Sequence, residues 1–277
     1  MPISSSPLRY PGGKTKLYNL IKPIISSNIK NTIYIEPFAG GAGLALTLLF
    51  NNDVEELVLN DIDYCIYSFW DACLNQTDEL CYMIDNCTVN IETWNDQKNI
   101  YNNPICYSKL EVGFATFYLN RCNVSGVIQG GPIGGKEQKG KYLIDARFNK
   151  VDLIKRIRRI MAYRDRIQFY NMDASCFIQS EVPKYPQCRT FLNIDPPYVK
   201  KGPLLYHNSF TTYDHATLAN VIQTIQHKWI VTYDECDLVY ELYENYNKIQ
   251  ITLNYSAGQT KSGNELLIFS DSISYPN

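Results

Sequence analysis

Short apolar runs alternate with amphipathic segments along this chain, and their order predicts an α/β fold. Between residues 14 and 27, apolar residues recur on one face, as expected for an amphipathic helix. Helical segments separate most of the β-type runs, which lie at 32–36, 56–60, 166–170, 189–195, 228–233, 248–253 and 265–269. Strands that alternate with helices favour a doubly wound sheet.

One long segment interrupts this alternation. Residues 65–165 begin as a mostly helical stretch, continue as a glycine-rich polar loop or hairpin at 122–145, and end in a basic helix at 150–164. We therefore predict a sheet domain formed by residues 1–64 and 166–277, with residues 65–165 inserted as a subdomain. Later in the chain, the loop at 200–213 is long enough to move over a site, and Asp214 is predicted to cap the next helix.

Composition excludes several classes of protein. Hydrophobic residues make up 45% of the 277 positions and charged residues 19%, which is ordinary for a soluble globular protein. No apolar run is long enough for a transmembrane helix, and the N-terminus lacks the apolar region of a signal peptide, so we expect a cytoplasmic protein. The nine cysteines are scattered among only three histidines, so neither a metal site nor a disulfide framework is expected.

The distribution of charge is uneven. The net charge of −2 taken alone argues against binding to nucleic acid. Between residues 136 and 166, however, eleven lysines and arginines face only four acidic residues. This basic block is either a phosphate-binding face or a solvated helix face, and the sequence by itself does not choose between them.

A glycine-rich turn follows the first predicted strand. The sequence from Pro37 to Gly43 reads PFAGGAG, and a helical run begins at Leu44. Glycines at such a turn let a ligand approach the main chain at a helix N-terminus. The dinucleotide pattern G-x-G-x-x-G fails because its last position is Leu46. The segment around Lys14 is no P-loop either, because Leu8 replaces the required glycine. The alternative for the glycine-rich turn is a plain tight turn.

An acidic residue follows the second predicted strand. Asp61 lies about 20 residues past the glycine turn, where a carboxylate at a strand end can accept both hydroxyls of a ribose. The alternative role for Asp61 is to cap the helix that follows. Asp61 and Asp63 can also divide these two roles between them.

The segment Asp195-Pro196-Pro197-Tyr198 ends another predicted strand. Prolines cannot donate to a sheet ladder, and each one biases the preceding residue toward extended geometry. The result is a stiff loop at the carboxyl end of a strand, where open α/β sheets bind ligands. One carboxylate, fixed carbonyls and one aromatic ring suit a flat heterocycle with an amino group. The alternative is an ordinary Pro-Pro turn.

Taken together, these blocks resemble the Dam-type family of DNA adenine-N6 methyltransferases. The match rests on RYPGGK at 9–14, EPFAGGAG at 36–43, NDI at 60–62 and DPPY at 195–198, in the order of the family and over nearly the whole chain. Weaker similarities lie at 118–121, 172–174, 256–258 and 265–267. The resemblance implies a Rossmann-like methyltransferase sheet, S-adenosylmethionine as cofactor, and an insert that recognises a target in double-stranded DNA.

The resemblance also implies roles for individual residues. The cofactor would lie against Tyr10, Lys14, Glu36, Phe38, Gly40, Gly41, Asp61, Ile62, Asp173 and Asp195. Catalysis on a flipped-out adenine would use Asp195, Pro196, Pro197 and Tyr198, with no metal. Contacts to DNA would come from Asn120, Arg121, Lys136, Lys139, Lys141, Arg147, Arg156, Arg158 and Arg159. A monomer or weak dimer is expected, and a cognate restriction endonuclease is a partner that the family allows.

Three other functions stay open at the level of the sequence. Cytosine-N4 methyltransferases use similar chemistry but more often carry serine at the position of Asp195. RNA or protein-glutamine methyltransferases have related Pro-Pro loops that often begin with asparagine. A catalytically inactive DNA-binding protein should have lost the Asp195 or the Lys14 block, and both are intact. Residues 122–135 do not closely match the GATC-reading members, so the target sequence is open.

Overall fold

The computed structural model describes residues 5–9, 14–200, 210–255 and 261–274. The chain divides into two compact units. One, here called the sheet unit, comprises Lys14–Ile62 and Met172–Asn277; the other, the insert unit, comprises Met1–Gly13 and Asp63–Asn171. None of the described helices is both long and apolar enough to span a membrane.

The strands confirm the predicted α/β fold. In chain order they are β1 (Ile33–Glu36), β2 (Glu56–Asn60), β3 (Ile167–Tyr170), β4 (Thr190–Ile194), β5 (Lys228–Asp234), β6 (Asn247–Tyr255) and β7 (Lys261–Phe269). Within the sheet unit the spatial order is β2-β1-β4-β5-β7-β6. The first four strands of that order are parallel, and β7 runs antiparallel to both β5 and β6.

The strand order reverses between β1 and β4. The chain runs outward from β1 to β2 and later returns to place β4 on the other side of β1, with Ile35 opposite both Val58 and Leu192. All residues of β1 and β4 are buried, as expected for parallel strands covered on both faces. A ligand site is expected at the carboxyl ends of these two strands, because that is the topological switch point.

The helices agree with most of the predicted segments. In the described parts of the chain they are α1 (Tyr18–Asn28), α2 (Gly43–Phe50), α3 (Tyr64–Asn75), α4 (Thr77–Asn86), α5 (Ile91–Asn102), α6 (Lys109–Cys122), α7 (Lys150–Met161), α8 (Ala174–Ser180), α9 (Thr212–Gln223) and α10 (Asp237–Leu242). The first predicted helix begins with a 3-10 turn at Lys14–Leu17. The prediction that Asp214 caps α9 is wrong, because Thr211 is the N-cap and Asp214 completes a reciprocal capping box from the third helical position.

The insert unit is built around helices and an aromatic core. Phe69 stacks on Phe117 with ring centroids 5.7 Å apart, and Phe117 meets Phe148 edge-on at 5.6 Å. The predicted loop after α6 has few regular elements but is internally bonded. The buried Asn123 amide donates to the carbonyls of Val127, Ile128 and Gly130 and accepts from Trp94. This loop is therefore shaped by its own hydrogen bonds.

The compact units differ from the predicted division at three places. Among the described residues, 5–9, 63–64 and 166–171 group with the insert unit rather than with the sheet unit. The reason for the first difference is the amide of Asn120. It accepts from the Arg9 main-chain nitrogen at 2.7 Å and donates to the Arg9 carbonyl at 3.0 Å. A single side chain of α6 thus pairs with the backbone of Arg9 in both directions.

Candidate active site

Four parallel strands of the sheet unit end at one edge of the sheet. β1 ends at Glu36, β2 at Asn60, β4 at Ile194 and β5 at Asp234. Because parallel strands end at the same edge, this topology brings together the predicted glycine turn, Asp61 and the Pro-Pro loop. The turn after β1 and the loop after β4 lie on either side of the switch point.

The glycine turn after β1 is tied to the end of β2. The Ala39 nitrogen donates to the Asn60 carbonyl at 2.8 Å, and the Gly40 nitrogen donates to Asp61 Oδ2 at 2.8 Å. Gly40 has a φ of 47°, a left-handed conformation that glycine adopts without steric penalty. Capping of the next helix was the alternative role for Asp61. Asp63 supplies this cap by accepting from the Cys65 nitrogen at 2.8 Å. The two acids therefore have separate structural roles.

Asn60 joins the glycine turn to the segment before α8, and the sequence analysis did not identify it. Its amide nitrogen donates to the carbonyls of Pro37 and Met172, each at 3.0 Å, and its oxygen accepts from the Met172 nitrogen at 3.0 Å. The next residue, Asp173, caps α8 by accepting from the Cys176 nitrogen at 3.1 Å. The sequence signal for this role was an asparagine at the end of a predicted strand; its burial is visible only in the structure.

The Pro-Pro loop is held by a second residue that the sequence analysis missed. Asp234, at the end of β5, is buried and accepts from the main-chain nitrogens of Val199 at 2.9 Å and Lys200 at 2.8 Å. These two bonds secure the chain directly after Tyr198. Prolines stiffen the loop on one side, and a charged acceptor secures it on the other.

A buried charged cluster lies at this loop. Lys14 Nζ is 3.4 Å from Asp195 Oδ1 and 3.2 Å from Glu265 Oε2, and it also donates to the hydroxyl of Tyr198. Lys14 is 8% exposed, Tyr198 9% and Glu265 0%, whereas the Asp195 side chain is 23% exposed. Three of the four members were predicted as site residues, whereas Glu265 was noted only within a weak similarity. The predicted role of Tyr198 in stacking on a base stays a prediction.

Burial changes the charge state of two acids at this edge. Burial raises the pKa of Asp195 to about 6, against the opposing effect of Lys14 and with a smaller rise from Glu265. Burial also raises the pKa of Glu36 to about 8, although Tyr34 and Asn193 both donate to its carboxyl group. At neutral pH Asp195 is therefore mostly ionised, while Glu36 is mostly protonated.

Two buried acceptors at the end of β4 have no hydrogen-bond partner among the described residues. They are Asn193 Oδ1 and Asp195 Oδ1. An unsatisfied buried acceptor costs about 1–3 kcal/mol, so such atoms often mark a site that a ligand completes. Of the two residues, Asn193 is 1% exposed, whereas the Asp195 side chain is 23% exposed and so is the acceptor that an N–H donor could reach.

An aromatic row extends from the glycine turn to the Pro-Pro loop. Ring centroids are 6.0 Å apart for Phe38 and Phe210, 5.3 Å for Phe210 and His215, 5.5 Å for His215 and Tyr233, and 6.4 Å for Tyr233 and Tyr198. His215 Nδ1 lies 2.9 Å from the Tyr233 hydroxyl, and burial lowers the pKa of His215. The row is therefore mainly neutral, and its members His215, Tyr233 and Tyr198 are buried, so it packs the interior between the two loops.

Two predicted DNA contacts lie in the interior of the insert unit. Asn120 is fully buried, and its amide bonds the Arg9 backbone and the Gly126 carbonyl. Arg121 is half-buried and donates to the carbonyls of Arg147 and Pro7. Burial lowers the pKa of Arg121 to about 9. Both side chains thus bond main-chain groups of the insert unit, and their expected contacts with DNA stay a prediction.

Most other predicted DNA contacts are at the surface. Arg156 is half-buried and bonds the Ser6 carbonyl and Asp152. Exposed side chains are those of Lys136, Lys139, Lys141, Arg147, Arg158 and Arg159. Tyr10, the loop at 201–209 and the similarity at 256–258 lie outside the described residues. No group of three or more His, Cys, Asp or Glu in the described chain could hold a metal ion.

Comparison with known proteins places this geometry in a family. The model of the family described as "D12 class N6 adenine-specific DNA methyltransferase" matches residues 10–257. The Type II methyltransferase M.MjaIII of Methanocaldococcus jannaschii is 24% identical over 224 residues, which are 74% of this chain and 72% of that protein.

Solved structures overlap with the chain more loosely. TrmK of M. capricolum, in complex with S-adenosyl-homocysteine, has a TM-score of 0.40 at 10% identity and aligns with 93% of this chain and 67% of its own. A SAM-dependent methyltransferase from Agrobacterium tumefaciens has a TM-score of 0.41 at 10% identity, over 92% of this chain and 61% of its own. The assignment rests on the family match, which spans most of the chain and includes the glycine turn, Asp61 and the Pro-Pro loop: this protein belongs to the family of D12 class N6 adenine-specific DNA methyltransferases.

Proposed function

We propose that the protein transfers a methyl group from S-adenosylmethionine to N6 of an adenine that is flipped out of double-stranded DNA. The observation that carries this proposal is Asp195 Oδ1 at the switch point, a buried oxygen that forms an ion pair with Lys14 but accepts no aligned hydrogen bond from the described residues. An adenine N6 group offers the N–H donors that this acceptor lacks. Because the family acts on adenine N6 in DNA, the group that donates these N–H bonds would be an amino group of DNA.

The residues present fit the cofactor. The glycine turn offers close approach to the main chain, Asp61 is the acid at the next strand end, and Ile62 is 50% exposed beside it as an apolar surface for a ring. We assign Lys14, Glu36, Phe38, Gly40, Gly41, Asp61, Ile62, Asp173 and Asp195 to cofactor binding, together with Tyr10. When bound, S-adenosylmethionine supplies a methyl group activated by positively charged sulfur.

Asp195 and the Pro196 carbonyl would act on the target amine. The N6 lone pair is delocalised into the adenine ring and is a poor nucleophile. Acceptors aimed at the N–H bonds favour a pyramidal nitrogen and stabilise the positive charge that develops there as the sulfur–methyl bond breaks. One N6 proton would then pass by way of Asp195 to solvent. Because Asp234 and Pro197 secure the loop, these acceptors are preorganised. Tyr198 would stack on the base, which must leave the duplex to be reached.

The exposed cations of the insert unit are assigned to the DNA. Lys136, Lys139, Lys141 and Arg147 lie in or next to the internally bonded loop, and Arg158 and Arg159 lie on α7. Such side chains give affinity for phosphates without reading sequence. We keep the expectation of a cytoplasmic monomer or weak dimer. A cognate restriction endonuclease is consistent with the name of the Type II relative.

The test is methylation of DNA in cells that express the wild-type chain, Asp195→Ala, or the control Asp271→Ala. Wild type and the control, which removes an exposed acid of the same unit, are expected to methylate adenine at one short sequence. Asp195→Ala should lose this modification, because removal of one preorganised electrostatic partner costs ~100- to 1000-fold in rate. Methylation of cytosine, or near wild-type methylation by a folded Asp195→Ala protein, would refute the proposal.

A further inference from the structure

The ammonium group of Lys14 is shared among three oxygen-bearing side chains. It donates to the Tyr198 hydroxyl and lies 3.2 and 3.4 Å from the two oxygens of Glu265, both in hydrogen-bond geometry. Asp195 Oδ1 is within ion-pair distance at 3.4 Å, yet it forms no hydrogen bond to any described residue. A lysine has three N–H donors; here Lys14 forms aligned hydrogen bonds to Tyr198 and Glu265, whereas its contact with Asp195 Oδ1 is an ion pair.

Glu265 is placed for this contact by strand pairing. It lies on β7 directly opposite Asp234 of β5, and directly opposite residues of an antiparallel pair project from the same face. The Asp234 carboxylate is committed to Val199 and Lys200. The fully buried Glu265 carboxylate is instead bonded to Lys14. The two acids therefore secure different segments, one after the Pro-Pro loop and one at the start of the first helical turn.

We infer that Glu265 is a positioning residue of the active site: with Tyr198, it holds the Lys14 ammonium in an ion pair with Asp195 without an aligned hydrogen bond, so that Asp195 Oδ1 stays available to the N–H donors of a substrate. At its observed distance Lys14 still stabilises the charge of Asp195, because an ion pair does not require an aligned hydrogen bond. Without Glu265, the ammonium would turn to the remaining carboxylate and occupy the acceptor.

The charge of Asp195 reports on this arrangement. Lys14 lowers the pKa of Asp195, and Glu265 raises it. Neutralising Glu265 removes the repulsion and frees Lys14 to approach, so both changes lower the pKa of Asp195. The titratable or charged groups that face Asp195 are Lys14, Glu265, Tyr198, Tyr34, Glu36 and Tyr233.

The test is to titrate the Asp195 carboxyl group by ¹³C NMR in wild type, Glu265→Gln and Glu241→Gln, in the full chain without added ligand. The Asp195 resonance is assigned by its loss in Asp195→Asn. In Glu265→Gln the pKa of Asp195 should fall by about one unit, the lower end of the effect of a nearby charge. Glu241→Gln makes the same chemical change at an exposed position of the sheet unit and should leave the titration unchanged.

A second variant covers the case in which Glu265→Gln does not fold. Glu265→Asp keeps the charge but shortens the reach toward Lys14, and it should give a smaller fall of the Asp195 pKa. An unchanged or raised pKa in either folded variant would overturn the inference. The catalytic consequence rests on the proposed function: Glu265→Gln should lower kcat roughly 10- to 100-fold, as expected when a reacting group is displaced. Because the NMR titration needs no methyl transfer, failure of the proposed function would leave its result intact and distinguishable.

Discussion

At the scale of single residues, the protonation of Glu36 depends on its surroundings. The side chain is buried at the end of β1, and its pKa is raised from 4.5 to about 8. An acid with a raised folded-state pKa contributes stability that is fully present below its unfolded pKa. This contribution is lost as pH rises through the folded pKa. For Glu36 the loss therefore extends from about pH 4.5 to about pH 8.

This linkage predicts the effect of Glu36→Gln on stability. Between about pH 5 and 8, the free energy of unfolding of the variant minus that of wild type should rise by up to ~1.4 kcal/mol per pH unit. The reason is that Glu36 of wild type is protonated when folded and ionised when unfolded in this pH range, whereas the glutamine of the variant does not titrate. Urea unfolding at several pH values measures this difference. A difference that is independent of pH would show that Glu36 is ionised in the folded protein.

At the scale of elements, the loop after α6 depends on one glycine. Gly126 has a φ of 78°, and a Cβ atom built there would lie 2.0 Å from the Arg9 carbonyl oxygen. Backbone in a left-handed conformation is strained for any residue with a side chain. The close carbonyl also belongs to the backbone that Asn120 secures. Neither the Arg9 backbone nor the Gly126 backbone can move without breaking a hydrogen bond to Asn120.

We therefore predict that Gly126→Ala lowers the free energy of unfolding by at least about 2 kcal/mol. The matched control is Gly131→Ala in the same loop, where an added Cβ would meet no atom within 4 Å. The control should change stability by less than about 0.5 kcal/mol. Thermal or urea unfolding of both variants gives the comparison. Equal stabilities of the two variants would contradict the packing at Gly126.

At the scale of the whole molecule, the proposed contacts to the cofactor and to the DNA phosphates are assigned to different compact units. Asp61 belongs to the sheet unit and Arg158 to the insert unit. Arg158 is exposed on α7 and pairs with Asp78 at 3.1 Å across a solvent-exposed contact, which contributes little to stability. Substituting either residue should therefore affect one ligand and spare the other.

We predict that one substitution weakens cofactor binding alone and the other weakens DNA binding alone. Asp61→Ala should weaken the binding of S-adenosylmethionine, measured by calorimetry, because the glycine turn loses its acceptor and the proposed ribose contact disappears. Arg158→Ala should weaken DNA binding similarly on all sequences and reduce the slope of log K against log salt by ~1. Lys184→Ala, which removes an exposed cation of the sheet unit, is the control. An unaffected salt slope would return α7 to the alternative of a solvated helix face.

The sequence by itself determined the secondary structure elements, the two loops at the strand ends and the family. Helical and strand periods depend on local apolar spacing, so the strand and helix segments were predicted to within a few residues. The Asp-Pro-Pro-Tyr segment and the glycine turn were also recognisable, because proline and glycine restrict the backbone locally. These blocks were sufficient to indicate the family. The glycine-rich, polar composition of residues 122–145 likewise predicted a loop or hairpin, and Lys136, Lys139 and Lys141 in it are exposed.

Only the tertiary structure decided which polar residues share a contact. Glu265 lies 70 residues after Asp195, and Asn60 lies 112 residues before Met172. No rule of sequence spacing predicts either pair, because strand order and register bring the two members of each pair together. The same holds for Asn120 and Arg121, which were predicted as DNA contacts and whose side chains bond main-chain carbonyls of the insert unit. Burial then set the protonation of Glu36 and Asp195, because desolvation depends on packing in three dimensions and not on residue type.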